Sequence, residues 1–190
     1  MFYSKSTGGF YDAAIHGDNI PADAVEITTE EHAALLAGQG QGKRIVADAQ
    51  GRPMLADPPA PTIGEIWERI KAKRDAVKEG GIKIGTKWYH TDEASRTQYI
   101  GLLRMADAAV AAGGSGPTTL QYSGQDIQWK TMDGTFIKMT VQRANDVFNA
   151  VSGLDFIAFG VAEAHRVKML ASPDPAAYDF SADWPANFGG

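Results

Sequence analysis

The side chains of this chain that could do chemistry stand far apart. Its four histidines lie at 16, 32, 90 and 165, without HExxH or any comparable metal-ligand spacing. His90-Thr91-Asp92 has types suited to proton transfer, but it falls where a strand ends and a helix begins, and a helix cap accounts for it. GQGQGKR (38–44) resembles a phosphate loop only superficially. The Walker pattern needs four residues between its glycines and Ser or Thr after the lysine, and Arg44 follows Lys43. Gly114-Ser115-Gly116 lacks the Gly-x-Ser-x-Gly spacing of a nucleophile elbow. Cysteine is absent, which removes disulfides, thiolate catalysis and Cys-based metal sites together. The carboxylates are scattered, so no acid and base pair can be nominated. Trp67, Trp88 and Trp129 fall on apolar faces and read as core. No catalytic residue, metal ligand or cofactor is expected, and nothing in the sequence gives positive support for an enzyme.

The totals narrow the partners. Among 190 residues, 44% are hydrophobic and 22% charged, ordinary values for a globular protein. The net charge is −5. Residues 1–59 carry four basic and eight acidic side chains, residues 60–112 nine and seven, and residues 113–190 five and eight. A nucleic-acid binder draws most of its affinity from a basic face, and none is visible, so nucleic acid is not an expected partner. No basic n-region with an apolar core opens the chain. The stretch Leu154–Ala162 contains Asp155 and falls short of the ~20 residues that span a bilayer. No membrane partner is expected, and the chain reads as soluble.

The elements that must position any site divide at DPPAPT (57–62), a stiff spacer. Before it, two short strands flank Ser6-Thr7-Gly8-Gly9, HGDNIPADA (16–24) has loop composition, and Thr28 with Glu31 forms a capping box. That box starts a short helix that must end in the glycines of 38–42. KRIVADAQGRPMLAD (43–57) reads as a hairpin about Gln50-Gly51, giving ββαββ over residues 1–58. Residues 59–190 read as helix–hairpin–helix–hairpin–helix. Thr62 and Glu65 cap the first helix, and Thr91 caps the second. Tyr99, Ile100, Leu103, Ala106 and Val110 are expected on the second helix's buried side. The second hairpin turns at Asp133-Gly134, and the last helix runs from about Val141 to Ala171, with Gly153 and Gly160 as candidate bends. The fold class expected is α+β. Residues 173–190 are acidic and proline-bearing, yet hold Tyr178, Phe180, Trp184 and Phe188. Leaving these rings in water is unfavourable, so the tail is expected to lie extended across a surface, this chain's own helical domain before any other.

Two stretches carry a resemblance. The start (FYS, then GFY, then IPADAVEITTEEHAALL, then IVADAQGRPMLADPP) covers residues 1–59 and resembles tail fibre assembly proteins of tailed phages and phage-tail-like bacteriocins, R-type pyocins among them. WERIKAKRDAVKEGGIKIGTKWYHTDEASRTQYIGL and WKTMDGTFIKMT resemble an uncharacterised domain found on phage tail proteins. This second half departs from the C-terminal domain of many fibre-assembly proteins. The resemblance implies a chaperone that binds the C-terminal end of a trimeric tail fibre in the bacterial cytoplasm and assists its folding, trimerisation and assembly, some such proteins remaining on the particle. Weak self-association is compatible with that role. Residues 1–58 are then the fibre-docking module, with Phe2, Tyr3, Phe10 and Tyr11 as the binding candidates. In a strand of period two, one of each adjacent pair should point inward. The alternatives are a structural tail-tip component retained on the particle and an enzyme acting on surface glycans.

Overall fold

A computed structural model describes residues 1–189. The chain forms two compact units, Met1–Ala60 and Pro61–Gly190, and the class is α+β.

In the first unit, strand β1 (Phe2–Ser4) pairs antiparallel with β2 (Gly9–Tyr11). The segment expected as a loop contains more. A four-residue helix, α1 (Ala13–His16), begins on an Asp12 cap and is followed by a 3-10 turn (Gly17–Asn19). Strand β3 (Ala24–Glu26) then pairs with the free side of β1. Three residues are too few to show a period, so only tertiary pairing reveals this strand. Helix α2 (Thr29–Gly40) starts at the predicted box, with Thr28 and Glu31 bonding reciprocally. It runs on through Gly38, where any side chain would collide with Leu55 of the following hairpin. Strands β4 (Arg44–Ala47) and β5 (Pro53–Ala56) set Ile45 opposite Leu55 and Val46 opposite Met54. The core is small: Tyr3, Ile27 and Leu35, with Met1, Phe10, Ile45, Ala47 and Leu55 packed around them.

The second unit is organised by one helix. After α3 (Ile63–Glu79), β6 (Ile82–Ile84), β7 (Lys87–Tyr89) and α4 (Glu93–Ala111) come two hairpins. The two-residue strands β8 (Gln121–Tyr122) and β9 (Gln125–Asp126) turn through Ser123 and Gly124, both at positive φ, as a type I′ turn requires. The predicted hairpin follows as β10 (Gln128–Lys130) and β11 (Phe136–Lys138). Helix α5 (Val141–Ala171) continues unbroken through Gly153 and Gly160. By length and composition it is one that could cross a bilayer. Nine of its residues, from Val141 to Met169, are nevertheless buried. They pack against α4 and the hairpins toward its start, and against α3 toward its end. Asp155 serves that packing. Arg96 on α4 donates to it at 2.8 Å, to the Thr91 carbonyl and to the Lys78 carbonyl, tying three helices at one guanidinium.

Two expectations are corrected. The cap of α4 is Asp92, which accepts from the Ser95 backbone and hydroxyl. Thr91 is buried and accepts from the Gly81 N–H instead. The buried side of α4 is Ser95, Tyr99, Leu102 and Ala106, whereas Ile100 and Val110 are more than half exposed. Apolar residues surround this helix, so period alone could not choose the face.

The tail lies on the helical unit. Tyr178, Phe180 and Trp184 pack against Ile66, Ile70, Ala162 and Met169. Buried His165 anchors them. Its Nε2 is 3.0 Å from the Ala182 carbonyl, which can only accept, so that nitrogen carries a proton, and Nδ1 is 2.8 Å from the Tyr178 hydroxyl. The imidazole also stacks on Trp184. Further on, the Phe188 N–H donates to the Gly80 carbonyl and its ring meets Trp88 edge-on.

Candidate docking surface

The four aromatic candidates occupy two faces of one small sheet. Opposed residues in an antiparallel ladder share a face, and Tyr3 opposes both Phe10 and Val25. This is the inner face. Tyr3 is 2% exposed, its ring is 5.3 Å from that of Phe10, and Phe10 meets His32 edge-on at 4.5 Å. Tyr3 is therefore core. It has no surface to offer a partner and drops out as a contact residue. Phe10 is half-buried beside it.

Phe2 and Tyr11 oppose each other on the outer face and are each half-buried. The Tyr11 hydroxyl donates to Thr7, fixing its ring over the turn, and its other edge meets His16 at 5.2 Å. Four residues on, Ile15 is 79% exposed. Asp23 locks the sheet: it accepts from the Ser4 hydroxyl, the Ser6 N–H and the Ser6 hydroxyl. The Ser4 bond first, then the Ser6 N–H, hold its carboxyl below the usual range. Strands β2 and β3 are the sheet's two edges, each with a row of backbone groups able to pair with an added strand.

Sequence reasoning missed a groove of about 250 Å³ between α2 and β5, at the edge of the core and lined by Ile27, Leu35 and Leu55. At its rim Arg52 pairs with Glu31 at 3.0 Å. The Glu31 carboxyl is held low chiefly by the Thr28 N–H that it caps, and further by Arg52. Leu35 and Leu55 sit in the two elements read from sequence, and the absence of a side chain at Gly38 lets Leu55 approach α2.

No group of three His, Cys, Asp or Glu suited to a metal occurs among the described residues. The chemistry this surface offers is apolar contact, backbone pairing and one ion pair.

Comparison with known proteins fits both halves of the reading. Over 85 residues the chain is 49% identical to a probable tail fiber assembly protein of Shigella phage SfV. That match takes in 45% of this chain and 48% of the phage protein, so it spans about half the length of the curated relative. No solved structure matches. Residues 64–182, most of the helical unit, match the model of a domain of unknown function, DUF4376. The chain belongs to that family.

Proposed function

We propose that this protein is a tail fibre assembly chaperone: it binds the C-terminal end of a trimeric phage or bacteriocin fibre and assists its folding, trimerisation and assembly. The observation that carries this reading is the 49% identity to a protein named for tail fibre assembly. The surface just described supports it, because holding a fibre needs contact area and strand edges. Fibres are intertwined trimers with long non-local pairing, so register errors and exposed edges lead to aggregation. A helper holding one end lets pairing begin in register. The role is non-enzymatic and is exercised in the cytoplasm of the bacterial host.

Residues 1–58 carry recognition in this proposal, with Phe2 and Tyr11 on the outer face, half-buried Phe10 on the inner one, and the β2 and β3 edges as the backbone contacts. Coexpression tests it. A fibre made without this protein should be insoluble or mis-assembled, and one made with it should be a soluble trimer. Phe2→Ser with Tyr11→Ser should retain the fold and lose fibre capture. Equal yields of receptor-binding trimer without the protein would remove the chaperone role. Specificity that follows residues 62–190 in exchanges between related proteins would move the docking face.

A further inference from the structure

Strand β3 offers a partner one well-defined place to pair. The Ile27 N–H donates to the Met1 carbonyl at 2.9 Å. In this antiparallel ladder Val25 and Ile27 therefore turn their backbone groups toward β1, and Ala24, Glu26 and Thr28 turn theirs outward. The Ala24 N–H is taken by the Pro21 carbonyl and the Thr28 N–H by the Glu31 carboxylate. Glu26 keeps both its outward N–H and its outward C=O without a partner among the described residues. One residue of an added strand exchanges two hydrogen bonds with such a pair.

The same edge borders a groove. A depression of about 720 Å³ lies between residues 25–28 and the hairpin turn at Gln50 and Arg52. It shares Ile27, Glu31 and Arg52 with the groove of about 250 Å³ at the edge of the core, so the two are continuous. In the smaller one Ala34, Pro53 and Leu55 are the accessible apolar walls, beside buried Ile27 and Leu35. We infer that this edge takes one extended strand of the fibre by strand addition. The strand carries Lys or Arg opposite Glu26 and, next to it, an apolar side chain set in the groove beyond Ile27. The inference rests on the fibre reading and commits the backbone contact to β3.

Backbone and charge specify this occupant. An unpaired N–H and C=O on a strand edge call for another extended backbone, and pockets for alternate side chains supply the selectivity. Glu26 lies on the outer face opposite Phe2, with its carboxylate exposed. Glu31, the other acid in the groove, is already paired with Arg52. A residue opposite Glu26 thus meets an unneutralised negative charge, and an opposite charge there is favourable. Its neighbours in the added strand point to the inner face, one beside Val25 and the other beside Ile27, where the apolar groove opens. A second copy of β3 fits poorly: antiparallel pairing about Glu26 sets two glutamates opposite each other, which is destabilising. The four basic and eight acidic side chains of residues 1–59 favour a basic segment at longer range as well.

The test uses the full chain and the purified trimer of the fibre it is coexpressed with. Glu26→Pro deletes the outward N–H and no ladder bond, and an edge strand tolerates proline where the nitrogen faces solvent. Its melting temperature should hold while fibre capture weakens by roughly tenfold or more, since main-chain bonds carry the affinity of an added strand. Glu26→Gln keeps the backbone and should weaken capture several-fold and flatten its salt dependence. Ala34→Glu, at an exposed position of α2, puts a carboxylate at the apolar wall and should weaken capture too. Hydrogen exchange on the wild-type complex reads the site without any substitution. The Glu26 amide should become protected, and that of Phe10, which faces outward from β2, should not. A wild-type chain that captures no fibre removes the fibre reading and this inference with it. Capture that survives Glu26→Pro overturns the inference alone. So does a complex in which the Glu26 amide stays unprotected, or capture unchanged in both Glu26→Gln and Ala34→Glu.

Discussion

The two units solve the same problem with different materials. Among the described residues, three of the twenty buried apolar side chains, Tyr3, Ile27 and Leu35, belong to the first unit, and the rest to the second. The first unit holds itself with short ladders, a capping box and the Asp23 cluster. The second is wrapped around one 31-residue helix. A small core leaves a large share of residues at the surface, where sequence can vary without loss of fold; a long core helix commits most of its neighbours to packing. The contrast suits the proposed division between a recognition module and a helical body.

Truncating one core residue in each unit is the strongest way to break this contrast. Ile70, fully buried, and Leu35 should each lose about 2–5 kcal/mol on replacement by alanine. A module of about 60 residues is marginal, so Leu35→Ala should unfold it entirely. Its amide signals should collapse at ambient temperature while those of α3, α4 and α5 persist. Ile70→Ala should lower the melting of the helical unit and leave the first unit's signals in place. If both variants lose all signals together, the chain is one cooperative unit.

Next in size is the tail. Removing residues 173–190 uncovers Ile66, Ile70, Ala162 and Met169, and leaves buried His165 without its two hydrogen-bond partners. Half-burial of three aromatic rings contributes roughly 2–4 kcal/mol, so the melting temperature of the helical unit should fall by several degrees. The first unit should be unaffected. A truncated protein of unchanged melting temperature would mean that these contacts do not persist in solution. Trp184→Ala, read by tryptophan fluorescence, separates the ring's packing from the rest of the tail.

How much of this could be read in the sequence follows the same division. Both capping boxes, the hairpins about Gly51 and Gly134, and the long last helix were legible, because each depends on side chains a few residues apart. The α+β class followed. What escaped depends on distant partners. Strand β3 exists because β1 offers it an edge. The buried side of α4 is set by α5. The groove at Leu35 needs Gly38 against Leu55. Tyr3 and Phe2 look alike in sequence, and only the ladder decides which one is core. The exposure of Phe156 and Phe159 on α5 was hidden for another reason: they interleave with buried Leu154 and Ala158, and a helix apolar on two sides shows no clean period.

The smallest expected effect sharpens the contrast most finely, because among the carboxylates held low in the two units Asp133 and Asp23 are held by different kinds of partner. In the helical unit Asp133 is held well below the usual range, first by the Lys87 ammonium at 2.8 Å and then by Thr131 and Thr135. In the first unit Asp23 is held low by the Ser4 hydroxyl and the Ser6 N–H, with no cation among its partners. Both pKa values lie below that of an unfolded aspartate, about 3.9. Each therefore stabilises its unit above that pH, and the contribution fades as pH falls below about 4 toward the folded value. Asp133→Asn and Asp23→Asn should each weaken denaturant resistance at neutral pH, and both deficits should shrink as the pH falls below about 4. Salt separates them. Screening reduces an attraction between exposed charges, so the Asp133→Asn deficit should shrink in molar salt. The Asp23→Asn deficit should persist, since hydrogen bonds to a hydroxyl and a backbone N–H carry no opposing full charge to screen. A salt-sensitive Asp23 or a salt-blind Asp133 would show that the two carboxylates are held by the same long-range field, and that the units are less distinct than their cores suggest.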